Sequence, residues 1–150
     1  MPALSPDLVF SLANAAVLPA WLLLAAAPRW VVTRRVVRSG AWPLLLAATY
    51  AALILSHYLG PHAAEGGFGS LAEVRALFAN PWALTAGWVH YLCFDLCVGL
   101  WEVRDAERRG LPQLLVLPAL LFTFLVGPVG LLLYAGLRQL RPAPQAAPTP

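Results

Sequence analysis

Residues 82–101 read WALTAGWVHYLCFDLCVGLW, twenty positions that are apolar almost throughout yet include one acid, Asp95, and one histidine, His90. A helix needs about 20 apolar residues to cross a hydrocarbon core about 30 Å thick, so the stretch reads as a membrane span. An ionisable side chain inside such a span costs roughly 2.5–3.5 kcal/mol on insertion scales. A carboxyl kept at that cost needs a reason, which makes Asp95 the first candidate for chemistry or for specific packing.

Three further apolar segments lie outward from this one, at about 8–27, 41–59 and 114–137. They predict an all-α membrane protein, a four-transmembrane-helix bundle in a single domain over 1–140. The Pro/Ala-rich stretch 141–150 reads as a disordered tail. Composition agrees. The 150 residues are 60% hydrophobic and 11% charged, against about 25% charged in soluble domains. A chain of this size cannot hide that much apolar surface from water. The ten basic residues are all arginine and fall in short clusters between apolar runs, which excludes a nucleic-acid binder. Cys93 and Cys97, four apart, read as reduced small hydrophobes.

Arginine placement predicts sidedness. The first connection holds Arg29, Arg34, Arg35 and Arg38, and the third holds Arg104, Arg108 and Arg109, against Arg75 alone in the second. With connections one and three in the cytoplasm, both termini are expected on the periplasmic side of an inner membrane. No basic residue precedes the first apolar segment, which therefore reads as a retained helix and not a signal peptide. Pro19, Pro118 and Pro128 are expected to bend their helices.

The second connection carries Ser70-Leu71-Ala72-Glu73, a capping box that opens a short helix over 70–79. Leu71, Val74, Leu77 and Phe78 share one face of it. This is an interfacial helix between the second and third spans, either a partial lid or a plain connector. Asn80-Pro81 stops it, and Pro81 can open the next helix.

At 100° per residue, Trp88, Tyr91, Asp95, Gly99, Glu102 and Asp105 fall within about 80° of one another, while His90, Phe94, Cys97 and Trp101 take another face. His90 lies about 140° from Asp95 on this wheel. Glu102 and Asp105 read as a solvated ion-pair patch with Arg104, Arg108 and Arg109. Asp95 can act as an acid or can fix packing through Asn14, Thr49, Tyr50, His57 or Thr123. The three histidines, His57, His62 and His90, match no helical ligand spacing, so no metal is expected.

Gly87 to Leu96, continuing through Gly99-Leu100-Trp101-Glu102-Val103-Arg104-Asp105-Ala106, resembles the signature stretch of the abscisic-acid-deficient (Aba-four-like) family of small membrane proteins. Gly127 to Tyr134, Asn14 to Pro19, Trp21 to Pro28, Phe68 to Leu71 and Leu77 to Pro81 fit the same pattern. Plant members are required to form neoxanthin from violaxanthin, an isomerisation that opens an epoxide into an allenic alcohol. The resemblance implies a carotenoid end-group isomerase working by acid–base chemistry without a redox cofactor, with Asp95 and His90 as acid and base. Trp88, Tyr91, Phe94 and Trp101 would stack on the substrate, with Glu102, Asn14 and His57 completing its binding site. The implied partners are membrane lipids and a carotenoid or other isoprenoid, with a second copy or a membrane complex as the protein partner. The arginine bias and the lack of a transit peptide point to a bacterial protein. The competing class is a non-catalytic carotenoid- or quinone-binding accessory subunit, and a third is an assembly factor with no ligand.

Overall fold

The computed structural model describes residues 4–59 and 65–141, with the side chains of 57–59 outside the description. The described residues are helical, without strands, in the order α1 (Pro6–Ala26), a π-helical turn (Thr33–Val37), α2 (Ala41–Leu59), α3 (Leu71–Ala79), α4 (Pro81–Arg108), α5 (Gln113–Val126), α6 (Pro128–Leu137) and a 3₁₀ turn (Arg138–Leu140). Pro6–Ala26, Thr33–Ser56 and Pro81–Arg108 are long and apolar enough to cross a membrane. Large apolar side chains such as Leu44, Leu55, Leu121 and Leu132 stay more than half exposed on these and later helices. That pattern suits a surface whose solvent is lipid.

The residues form two compact units, one of Met1–Pro19 with Gly40–Phe94 and one of Ala20–Ser39 with Asp95–Pro150. In the first unit, the Ser70 hydroxyl accepts from the Glu73 amide at 3.2 Å and caps α3, while the Glu73 carboxylate accepts from the Gly69 amide. Asn80 ends α3, and its side-chain carbonyl accepts from the amides of Trp82 and Ala83, so one residue stops a helix and caps the next. Trp42 donates its indole N–H to the Ala16 carbonyl at 2.8 Å, tying α2 to α1. Cys93 is buried and donates to the Pro43 carbonyl, while Cys97 is exposed.

The second unit departs from expectation at its end. An unbroken helix over 114–137 is replaced by α5 and α6, which part at Gly127 and pack against each other. At 1.5 Å per residue α5 is about 21 Å long and α6 about 15 Å, so neither crosses a membrane alone. The chain folds back. Arg138 reaches Asp105 at 3.2 Å, and Arg141 donates to the Gly110 carbonyl at 3.0 Å, so the end of α6 returns to where α5 began. The cause is local: Pro128 cannot donate to the α5 ladder, and Gly127 takes φ 8°, ψ −74°, outside the helical basin. Gly130 then lets α6 approach α5, since a Cβ there would collide with the Thr123 backbone. Pro19 and Pro118, by contrast, lie inside their helices.

The first connection contains a π-helical turn, Thr33–Val37. The turn closes with the Arg38 amide donating to the Thr33 carbonyl at 2.8 Å. Every arginine except Arg75 belongs to the second unit.

Candidate functional site

In the first unit, α4 presents two aromatic faces, as its register predicts. On one, Trp88 stacks with Phe10 at 5.4 Å and with Tyr91 at 5.2 Å, and its indole N–H donates to Asn14 Oδ1 at 3.2 Å. On the other, His90 stacks with Phe94 at 4.5 Å and with Tyr50 at 5.5 Å. His90 and Tyr50 also line a cleft of ≈ 250 Å³ with Ile54, Phe68, Leu77, Phe78, Ala83 and Gly87. They are the two lining residues with polar side-chain atoms; the remainder is apolar. α3 contributes Leu77 and Phe78, and the Phe78 ring sits 2.7 Å from where a Cβ on Gly87 would be.

In the second unit, Asp95 is half-buried on α4 with its carboxyl seated against Gly127, at the break between α5 and α6. Its Cγ lies 3.0 Å from the position a Cβ on Gly127 would take, so a glycine there leaves the room the carboxyl uses. The seat is at the start of α6, where helix dipoles favour negative charge. Two turns along α4, Glu102 is fully buried and its Oε1 accepts from the Thr123 hydroxyl at 2.8 Å. Its Oε2 is buried without a hydrogen-bond partner among the described residues. The expected solvated patch is therefore wrong for Glu102: the α5–α6 hairpin covers it. For the same reason Thr123 is not a donor to Asp95, because its one hydroxyl proton goes to Glu102.

Asp105 keeps the expected ion pair with Arg109 at 2.7 Å but is buried, and takes Arg138 and the Tyr134 hydroxyl, at 2.9 Å, as further partners. Trp101 packs edge-on to Tyr134 at 5.2 Å under the Arg138 guanidinium, which places it in this network. Arg104 donates to the Arg38 carbonyl instead of pairing with an acid. Residue 57 lies in α2, but the His57 side chain, like residue 62, is outside the described residues.

The predicted residues thus gather in two groups: Asn14, Trp88, Tyr91, His90 and Phe94 in the first unit, Asp95, Glu102 and Trp101 in the second. The sequence reading missed the roles of Gly127, Tyr134 and Arg138. Gly127-Pro128 is a turn signal, masked here by the hydrophobicity that runs through it.

The first unit thus carries two aromatic faces, and the second carries carboxyls buried in apolar helices. A model of the ABA DEFICIENT 4-like (ABA4-like) family matches residues 8–134, which include every one of these groups except Arg138. The chain belongs to that family. No curated protein matches it, and no solved structure does. The ABA DEFICIENT 4-like match ends at Tyr134, so it takes in the break at Gly127 and most of α6.

Proposed function

We propose that this ABA DEFICIENT 4-like chain is a membrane-embedded isomerase of carotenoid end groups, with Asp95 as its acid. The observation that carries the reading is the Asp95 carboxyl seated at the α5–α6 break, two turns from the buried Glu102–Thr123 pair. Non-helical backbone at membrane depth is tolerated where protein or a cavity covers it, and ionisable groups there mark functional positions. Isomerisation consumes no net proton, so one carboxyl suffices. Asp95 gives its proton to the epoxide oxygen as the C–O bond breaks. The carboxylate then removes the proton from the polyene carbon next to the ring, and that electron pair forms the allenic double bond. No electrons leave the substrate, so no redox cofactor enters.

On the helical wheel of α4, His90 stands about 140° from Asp95. We assign His90 to the cleft as the group that orients a polar ring substituent, with Tyr50 beside it. The Trp88–Tyr91 and His90–Phe94 faces are surfaces on which a polyene packs.

For topology we infer three crossing helices and a re-entrant α5–α6 hairpin in an inner membrane. The arginine-rich connections and the C-terminus then share the cytoplasmic side, with the N-terminus opposite. This replaces the expectation that both termini lie outside.

The test is expression in a host that accumulates an epoxidised xanthophyll, followed by pigment analysis. A product of unchanged mass that vanishes with Asp95→Asn supports the isomerase. Stoichiometric co-purification of unaltered pigment overturns it in favour of the non-catalytic carrier. The engagement of Glu102 by Thr123 in helix packing is what favours that second reading.

A further inference from the structure

A polar pocket of ≈ 380 Å³ in the second unit is lined by Arg29, Arg34, Arg38 and Glu107. Arg38 is fixed in it. Its Nη1 and Nη2 donate to the two Glu107 oxygens at 2.9 and 2.7 Å, and Nη1 also donates to the Pro28 carbonyl at 3.2 Å. The Arg104 guanidinium holds the Arg38 carbonyl from the other side. This bidentate pair occupies both oxygens of the one carboxylate in the pocket. Arg29 stands 4.0 Å from Glu107 with its side chain 75% exposed. The Arg34 backbone amide donates to the Trp30 carbonyl at 2.9 Å, while its guanidinium makes no hydrogen bond or ion pair among the described residues. Three guanidinium groups therefore face one carboxylate, and two positive charges stay uncompensated.

The backbone around them is built to hold this shape. The π-helical turn Thr33–Val37 carries Arg34 and ends at Arg38, with Thr33 and Val37 buried beneath it. Trp30, Val31 and Val32, just before the turn, and Val36 within it are exposed beside the arginines. A basic pocket rimmed by exposed tryptophan and valine belongs at the headgroup level of a bilayer.

We propose that Arg29, Arg34 and Arg38 form a binding site for a phosphate-bearing anion, filled in the membrane by the headgroup of an anionic phospholipid. Arg29 and Arg34 grip the phosphate oxygens, Arg38 supplies a fixed charge, and Glu107 keeps Arg38 in place. The lipid's acyl chains lie along Trp30, Val31 and Val36. The site is independent of the isomerase chemistry, since it uses neither Asp95 nor His90.

The experiment takes the purified full-length protein in neutral detergent and measures its melting temperature with added phosphatidylglycerol, phosphatidylcholine or inorganic phosphate. The Arg29→Gln/Arg34→Gln double variant is run alongside. Phosphatidylglycerol is expected to raise the wild-type melting temperature more than phosphatidylcholine does, with an apparent affinity about tenfold lower in the variant. Equal melting of wild type and variant in phosphatidylcholine shows that the variant is folded. A variant-sensitive shift by inorganic phosphate alone supports the anion site and names a soluble phosphate as its source. Equal responses to the two lipids with none to phosphate, or a response to phosphatidylglycerol unchanged in the variant, overturns the proposal.

Discussion

The Asp95 carboxyl and Gly127 occupy one another's space: the acid lies where any side chain on residue 127 would have to go. Gly130 faces Thr123 in the same hairpin, but there the colliding atoms include the Thr123 backbone as well as its hydroxyl. The two glycines separate catalysis from folding. Gly127→Ala is expected to displace the movable Asp95 carboxyl and abolish product formation, at a stability cost of about 1 kcal/mol. Gly130→Ala meets the Thr123 backbone, which no side-chain rotation can clear, and is expected to cost about 3 kcal/mol. Thermal melts in detergent and pigment analysis of both variants check the contrast.

The Glu102–Thr123 bond makes an asymmetric prediction. Thr123→Val leaves a buried carboxyl with neither oxygen bonded, and is expected to destabilise by about 1–3 kcal/mol. Thr123→Ser keeps the hydroxyl and should lose less than half as much. Equal losses in the two variants would show that the methyl contact, and not the hydrogen bond, matters here.

Asp105 joins α4 to the end of α6 through Arg109, Arg138 and Tyr134. Asp105→Asn strips the charge from a buried network and is expected to cost about 3–5 kcal/mol. Tyr134→Phe removes one hydrogen bond from a fully buried ring and should cost about 1–2 kcal/mol. Because the residues share a network, the double variant is expected to lose less than the sum of the two.

The hairpin predicts an odd number of crossings. A reporter fused at the C-terminus should read cytoplasmic, and a tag at the N-terminus should be reached by an impermeant reagent from outside. Finding both ends on one side would restore a fourth crossing and refute the re-entrant hairpin.

Within the cleft, Phe78 and Gly87 touch too closely for any larger residue. Gly87→Ala is expected to push Phe78 aside and destabilise by about 1 kcal/mol, with Phe78→Ala relieving most of that penalty in the double variant. A fully additive result would mean that α3 already moves freely over α4.

The spans of α1, α2 and α4, the capped α3 and the stop at Asn80-Pro81 were legible because each depends on hydrophobic run length or on bonds within a few residues. The pairing of Trp88 with Tyr91, and of His90 with Phe94, followed from helical register alone. Glu102 was misjudged for the opposite reason. Whether a carboxyl near a helix end meets water depends on what covers it, and its cover is Thr123, twenty-one residues away. The apolar run 114–137 likewise satisfies the length rule whether it crosses once or turns back at Gly127. Hydrophobicity records that a segment prefers lipid and not its direction through it. Composition and periodicity therefore determined by themselves that this chain is helical and lies in a membrane. Only tertiary contacts, Arg138 and Arg141 returning to Asp105 and Gly110, decided that its last segment folds back and which carboxyls it buries.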